Sequence, residues 1–212
     1  MNEAYKSLHE ESKDIPSLRM TNLVYLKQEL TIDTYAEDVL EKAEVIVCSL
    51  LGGMSYYQYL VETLLELQEK TDCKLLFIPA HEPDYELMKR SSESIEIVHQ
   101  CRQYLQEGGR ENSISLLKYI HKNFFQLNTE EVAPKSFENL FLYTVEQGII
   151  SNEQLDSFLD KEKSNAFIIA YRAHYLADNL DPVYELSSAL KEQNLNPIVL
   201  FAHNLRDQQV LI

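Results

Sequence analysis

The sequence predicts an α/β fold, and three observations predict it. Residues 45–51 and 74–79 are runs rich in aliphatic side chains and without alternation, which is the pattern of strands buried on both faces of a parallel sheet. The segment between these two runs has helical periodicity, as a crossover helix does. After a long helical stretch, a second strand–helix–strand pattern follows, with apolar runs at 166–171 and 197–202. We therefore expect a Rossmann-like parallel sheet with a helical insertion, followed by the start of a second α/β domain.

Three parts of the chain are expected. Residues 1–20 have weak periodicity and contain Pro16, so they are interpreted as a flexible N-terminal arm with at most a short helix. Residues 21–164 form an α/β domain with a helical layer. Residues 165–212 form the beginning of a second α/β domain, which is incomplete because so short a β-α-β unit cannot bury both faces of its sheet.

Apolar periodicity and turn residues predict the remaining elements of the first domain. Gly108-Gly109 ends one helix and allows another to start. Residues 128–134 are a polar linker, and Gly148 separates two helices that make up the expected helical layer. The predicted elements are a strand at 22–27 and helices at 34–43, 55–70, 94–107, 111–125, 137–147 and 152–161.

The predicted second domain contains one helix between its two strands. Pro182 is suited to the start of this helix, where a missing N–H costs nothing. Val183, Leu186 and Leu190 are expected to line its inner face.

Composition excludes several classes of protein. The chain has 212 residues with 19 basic and 34 acidic side chains, a net charge of −15, which disfavours binding to nucleic acid or to an anionic membrane surface. No apolar run is long enough for a membrane span, and the acidic start is not a signal peptide. The three cysteines are widely spaced, as reduced thiols of a cytoplasmic protein are.

The turn after the first apolar run is a candidate binding site. Gly52 and Gly53 follow the strand directly, and Ser55 with Gln58 has the spacing of a capping box at a helix start. Such a position lets backbone approach a ligand and presents N–H groups to an anion. His81 lies in the loop after the second strand, on the same edge of a parallel sheet. The alternatives are that the glycines only make a tight turn and that His81 is a solvated loop residue.

Four sequence blocks resemble the beginning of cobaltochelatase large subunits, a family that also includes the large subunit of magnesium chelatase. They occur in the order of that family and cover residues 44–126 and 165–207. The blocks are Leu50-Leu51-Gly52-Gly53 with Tyr56 and Tyr59; Ile78-Pro79 with Pro83-Asp84 and Glu86-Leu87; Tyr104 to Asn112 with Leu116-Leu117; and Tyr171 to Asn179 with Asn194 to Ile198.

The resemblance implies a role in metal insertion. The chain would be an N-terminal segment of a very large subunit, in an ATP-dependent complex that inserts Co²⁺ (or Mg²⁺) into a tetrapyrrole in cobalamin (or chlorophyll) biosynthesis. This segment would contribute to tetrapyrrole binding or to subunit contacts rather than to the chemistry. The implied partners are the tetrapyrrole, a corrin or porphyrin; ATPase subunits of the AAA+ type; and the remainder of the large subunit. ATP and Mg²⁺ would be used by the ATPase partner, no cofactor is expected in this segment, and Co²⁺ or Mg²⁺ is the substrate metal.

The resemblance also indicates substrate-binding residues on one strand-to-helix loop. Arg172, His174, Tyr175 and Asn179 match the family block and would hold carboxylates or amides of the macrocycle, or His174 would transiently bind an incoming metal. The alternative is that Arg172 and Asn179 fix the loop to the protein. At the first loop, Met54 stands where the family often has Arg, so the usual cation for a carboxylate is missing there.

Two other functions remain open from the sequence. The chain could be a stand-alone binding or regulatory module derived from the same fold, with no catalytic work. It could also be an unrelated small-molecule enzyme with a cleft at the edge of its sheet, although no nucleophile–base pair or G-x-G-x-x-G fingerprint supports this.

Overall fold

The computed structural model describes residues 1–205. Its backbone divides into two compact units, Met1–Lys135 and a second unit that starts at Ser136. Residues 206–212, which belong to the predicted second domain, lie outside the described residues.

The first unit is built on two parallel strands. Its helices and strands are, in chain order, α1 (Asn2–Glu11), α2 (Glu29–Asp38), β1 (Val45–Leu50), α3 (Gln58–Thr71), β2 (Lys74–Pro79), α4 (Tyr85–Met88), α5 (Ile95–Glu107) and α6 (Gly109–Phe125), with 3₁₀ turns at Leu23–Tyr25, Leu40–Lys42 and Met54–Tyr56. Strands β1 and β2 pair in parallel from Val45 opposite Lys74 to Leu50 opposite Pro79. The predicted parallel pairing of these two apolar runs is confirmed.

Helices cover both faces of this sheet. On one face, residues of α3 such as Leu60 and Leu64 pack against Cys48, Leu75 and Phe77. On the other face, side chains of β2 pack with residues of α5 and α6, and the buried members are Leu76, Ile78, Val98, Cys101 and Leu116. Burial on both faces explains why β2 is a continuous apolar run rather than an alternating one.

The outer edge of β2 is closed by two serines. The hydroxyl oxygens of Ser92 and Ser91 accept hydrogen bonds from the backbone N–H groups of Leu75 (2.8 Å) and Phe77 (2.9 Å). The backbone N–H of Ser92 also donates to the carbonyl of Leu75, at 2.8 Å. These bonds occupy backbone groups that a further strand would otherwise use.

The prediction of a flexible arm at 1–20 is wrong for its helical part. Helix α1 packs on α6, and Ala4 and Leu8 are buried against Leu117. Ala4 and Leu8 lie one helical turn apart, so a single short apolar stripe is enough to anchor the helix. The predicted strand at 22–27 is also wrong, because Asn22 instead caps a 3₁₀ turn by accepting from the N–H of Val24.

Two helix starts of the first unit differ from the predictions. Helix α2 begins at Glu29 rather than near 34, and it buries Ile32 and Ala36. Helix α3 begins at Gln58 rather than at Ser55, which lies in the preceding 3₁₀ turn. The predicted capping box of Ser55 is therefore wrong, since the residue before the helix is Tyr57 and makes no side-chain cap.

The described part of the second unit contains, in chain order, β3 (Leu140–Thr144), β4 (Gly148–Ile150), α7 (Asn152–Phe158), β5 (Ser164–Tyr171), α8 (Arg172–Leu176), α9 (Asp181–Glu192) and β6 (Leu195–Ala202). Its four strands form a mixed sheet with the order β4-β3-β6-β5. Strands β5 and β6 are parallel, and β3 runs antiparallel to both β4 and β6.

The predicted helix at 137–147 is wrong. Residues 140–150 form a hairpin, with Gly148 at φ +75° after the turn. Phe141 and Tyr143 face one side of the sheet and Leu142 the other, so both faces of β3 are apolar and resemble a helical segment in sequence. Since β3 pairs with β6, the structure divides after Lys135 rather than at 164/165, and residues 137–147 do not supply the helix that was expected as part of a helical layer.

The two faces of the second sheet are covered differently. On one face, Tyr175 of α8, Val183 of α9 and Leu180, the residue before α9, pack against the sheet. The sheet residues in this cluster are Phe141, Tyr143, Ile168, Val199 and Phe201. On the other face, α7 and the residue after it supply only Leu155 and Leu159, over Leu142, Ile150 and Ile198. Leu186 of α9 is exposed although the sequence pattern places it inward, and Ser187 takes the buried position.

Candidate functional site

The carboxyl ends of β1 and β2 lie side by side in the first unit. The backbone N–H of Ala80, the first residue after β2, donates to the carbonyl of Leu50 at 2.9 Å. Gly52 and Gly53 follow β1 with φ of +93° and +80°. The Gly52-Gly53 turn and the loop that carries His81 therefore start at the same edge of the sheet, as the sequence predicted.

The two glycines are required for different reasons. A Cβ on Gly52 would lie 3.0 Å from Cδ2 of Tyr56, whose exposed ring sits over the turn. A Cβ on Gly53 would meet nothing within 4 Å, but φ +80° with ψ −178° is a conformation essentially restricted to glycine. The backbone at Gly53 is therefore open to an approaching group.

A groove of about 550 Å³ lies beside this turn. Its walls are Ser49, Leu51, Tyr57 and residues 20–24. The lining contains no charged side chain, and Ser55 is exposed in the adjoining 3₁₀ turn. This surface can contact an apolar or neutral group, but it offers no cation to a carboxylate.

Hydrogen bonds from a buried arginine hold the loop after β2 in place. Arg102 of α5 is 4% exposed, and it donates from Nε to the carbonyl of Pro79 (3.1 Å) and from Nη2 to the carbonyl of His81 (2.6 Å). Gln106 Nε2 also donates to the His81 carbonyl, at 3.1 Å. The backbone of His81 is thus fixed while its imidazole is exposed. Arg102 is a positioning residue that sequence reasoning missed, although a basic residue among the apolar positions of α5 was a signal.

A second edge, in the second unit, carries the other predicted site residues. Arg172 follows β5 and is buried; its Nη1 donates to the carbonyls of Phe137 (2.7 Å) and Glu138 (3.3 Å). Its Nη2 lies 3.3 Å from Nδ1 of His203, just after β6. The Nε atom of Arg172 is buried and makes no hydrogen bond. These contacts give Arg172 an internal role: it ties together the segments that enter β3 and leave β6.

The contact with Arg172 fixes the ring of His203. A guanidinium has no acceptor, so Nδ1 of His203 must accept this hydrogen bond and the ring proton of the neutral form lies on Nε2. The backbone N–H of His203 also donates to the carbonyl of Asn139, at 2.7 Å. His203 is exposed, and it therefore offers an oriented N–H donor at this edge.

The other three predicted residues divide into one packed and two exposed side chains. Tyr175 packs against Phe141 and Phe201, with ring centroids 5.2 Å and 5.6 Å away. His174 and Asn179 are exposed, and the backbone N–H of Asn179 donates to the carbonyl of His174 at 2.9 Å. The structure thus brings His174, Asn179 and Arg172 to one edge together with His203.

Metal ligation has little support in the described part of the chain. Among residues 1–205, no group of three or more His, Cys, Asp or Glu side chains could hold a metal ion. Cys48, Cys73 and Cys101 are buried and free, as the sequence predicted. Burial raises the pKa of the Cys48 and Cys101 thiols to about 12, so neither is a thiolate ligand at neutral pH. Over the same residues, no helix is both long enough and apolar enough to cross a membrane.

Comparison with known proteins agrees with the resemblance of the sequence blocks. The chain is 28% identical over 199 residues to the aerobic cobaltochelatase subunit CobN of Pseudomonas aeruginosa, a match that covers 93% of this chain and 16% of that protein. It is 26% identical over 203 residues to the aerobic cobaltochelatase subunit CobN of Sinorhizobium sp., covering 90% of this chain and 16% of that protein. The chain thus spans about a sixth of the length of these curated relatives.

The fold has a counterpart among solved structures. The catalytic subunit of cobaltochelatase from Mycobacterium tuberculosis matches 84% of this chain with a TM-score of 0.57 and 22% identity, over 14% of that subunit. This likeness supports the mixed α/β fold. The family described as CobN/Magnesium Chelatase matches residues 102–212, which is more than half of the sequence. The chain therefore belongs to the CobN/magnesium chelatase family.

Proposed function

We propose that this chain works as an N-terminal segment of a cobaltochelatase-type large subunit. The complex would insert Co²⁺ (or Mg²⁺) into a tetrapyrrole, as a step of cobalamin (or chlorophyll) biosynthesis. The observation that carries the proposal is the match to the CobN subunit of Pseudomonas aeruginosa along 93% of the chain. The family match over residues 102–212 supports it independently.

The proposed contribution of this segment is binding rather than chemistry. The metal ion is a substrate, and ATP with Mg²⁺ would be used by an ATPase partner of the AAA+ type. Two surfaces suit a macrocycle with carboxylate or amide side groups. One is the neutral groove beside the Gly52-Gly53 turn, which can cover apolar parts of a ligand. The other is the edge formed by His174, Asn179 and His203, whose side chains provide hydrogen-bond donors.

Arg172 has a supporting role in this proposal. Its two terminal nitrogens are engaged with the carbonyls before β3 and with His203, so its charge is directed into the protein. It would act on the ligand through His203, by keeping the Nε2–H of that ring pointed outward. The expectation that Arg172 itself binds a carboxylate is therefore replaced by binding through the exposed neighbours.

Titration with protoporphyrin IX tests the binding role. The chain contains no Trp, so the emission of the porphyrin is followed rather than protein fluorescence. Replacing His174 and Asn179 together by Ala removes two hydrogen bonds, which is worth about 1–3 kcal/mol, or a rise of roughly 5- to 150-fold in Kd. His99→Ala is the matched control, because His99 is an exposed histidine on α5 and is not one of the predicted site residues.

The complete activity is tested in a reconstituted complex. A large subunit that carries these residues is combined with its ATPase subunits, ATP, Mg²⁺, Co²⁺ and a metal-free corrin, and insertion is followed by absorbance. The double variant should lower insertion at limiting corrin, while His99→Ala should not. A subunit that neither binds tetrapyrrole nor inserts cobalt would overturn the proposed function. Insertion and binding that ignore the double substitution would remove this edge from the site.

A further inference from the structure

Strand β5 presents a row of exposed apolar side chains. Phe167, Ile169 and Tyr171 alternate along the strand, point to one face of the sheet and are 58%, 54% and 49% exposed. The residues between them, such as Ile168, face the opposite side and pack under α9. The alternation has the period of a half-buried strand, except that both sets of side chains are apolar.

Helix α7 covers the part of this face that is formed by β3, β4 and β6, but not the part formed by β5. Leu155 and Leu159 lie over Leu142, Ile150 and Ile198, which belong to β3, β4 and β6. Leu200 of β6, opposite Ile169, is only half-buried. The uncovered part therefore runs along β5 and its border with β6. Contiguous exposed apolar surface of this kind marks a place of association.

The outer edge of β5 is also open. Among the described residues no strand pairs with that edge, and the eight residues of β5 pair with β6 in unbroken register, without a bulge. None of the eight is charged or a proline. Edge strands of isolated domains are normally protected by charges, prolines, bulges or shortness.

The other edges of the two sheets show such protection or burial. The edge of β2 is closed by Ser91 and Ser92, and β4 has only three residues. Strand β1 also lies at an edge, but its side chains pack into cores on both faces of its sheet. Only at β5, within residues 1–205, does an unprotected edge coincide with an uncovered apolar face.

We propose that β5 is an internal docking strand, and that its occupant is a strand–helix segment of the same cobaltochelatase-type large subunit. The added strand would pair with the free edge of β5, and the helix would pack on Phe167, Ile169 and Tyr171. A strand parallel to β5 needs a crossover connection, which is usually a helix lying on a face of the sheet. The inference rests on the proposed function.

Two observations favour this occupant. The match covers 16% of each CobN relative, so most of a subunit of that type lies outside the matched region and can supply such a segment. A second copy of this chain suits the face less well, because each copy carries a net charge of −15 and two copies repel.

Photo-crosslinking in the cells of origin tests the proposal. The photoreactive residue p-benzoylphenylalanine replaces Ile169 in the polypeptide that carries these residues, and the crosslinked peptides are sequenced. Ile149 is the matched control, since it is a β-strand isoleucine of the same sheet with 48% exposure, and it points to the opposite face. The expected result is a crosslink from position 169, and not from 149, to peptides of the large subunit outside residues 1–212.

Each other result would overturn the inference. Crosslinks from position 169 only to residues 1–212 of another copy would show a homodimer face. Crosslinks to an unrelated protein, or equal yields from 169 and 149, would show that β5 does not hold a large-subunit segment. Cobalt insertion by the same polypeptide is measured in parallel. Insertion without the specific crosslink refutes the docking strand and leaves the proposed function standing. The specific crosslink without insertion refutes the proposed function and leaves the docking strand standing.

Discussion

The buried arginine under the β2 loop allows the most direct test of the structure. Arg102→Met keeps an unbranched apolar stem but removes the donors to the carbonyls of Pro79 and His81. Each hydrogen bond from a charged donor contributes about 1.5–3 kcal/mol. The His81 carbonyl retains Gln106 as a donor, and the variant no longer buries a charge, so the net loss should be about 2–4 kcal/mol.

Calorimetry of the chain measures this loss. At roughly 2–4 °C per kcal/mol, the Tm of the first unit should fall by about 5–15 °C. Hydrogen exchange should also accelerate at residues 79–84, because their backbone is no longer held. Arg110→Met is the control: Arg110 is exposed and donates to Ser7 Oγ, so its replacement should change stability by no more than about 0.5 kcal/mol.

The reasoning would be refuted by a specific result. If Arg102→Met and Arg110→Met have the same Tm and the same exchange at residues 79–84, the two carbonyls do not depend on Arg102. Water or other donors would then satisfy them, and Arg102 would be only a packing residue.

Two further predictions concern the glycine turn and a buried histidine. Gly53→Ala forces a side chain into a glycine-only conformation and should cost about 1–3 kcal/mol in urea unfolding, whereas Ser55→Ala in the neighbouring turn should be nearly neutral. Burial lowers the pKa of His121, so the unfolded chain takes up a proton first as pH falls. Stability should therefore decrease when pH drops from about 7.5 through about 6.5 toward the lowered pKa, and His121→Gln should flatten this dependence of Tm on pH; an unchanged slope would contradict it.

Strands buried on both faces were predictable from sequence, and the hairpin was not. The runs at 45–51 and 74–79 are apolar except for Ser49 in the first and Lys74 at the start of the second, and the structure places them between two helical layers. Residues 137–147 are also rich in apolar side chains, and their local pattern indicates a helix. These residues form strand β3 because they pair with β6, about 60 positions later in the chain. The periodicity of a local segment does not reveal so distant a partner. Gly148 was the one local signal of a turn.

The site was predictable at the level of loops rather than of contacts. Sequence reasoning placed the Gly52-Gly53 turn and His81 at one edge, because carboxyl ends of parallel strands share an edge. It could not assign Arg102 or Arg172 their partners. Both arginines donate to main-chain carbonyls, and a carbonyl is present at every residue, so no residue type in the sequence marks the acceptor.

The hydrogen bonds of Ser91 and Ser92 with β2 leave the first sheet, among the described residues, with only one free edge, that of β1. With Leu75 and Phe77 already bonded on the outer edge, the sheet can be extended only beside β1. Two copies of this sheet can join through their β1 edges, but the pair then has only closed β2 edges, so copies cannot add one after another into a cross-β stack. Ser91 and Ser92 thus block lateral growth of the sheet at β2, and replacing both by Ala would free the N–H groups of Leu75 and Phe77 for pairing with another strand.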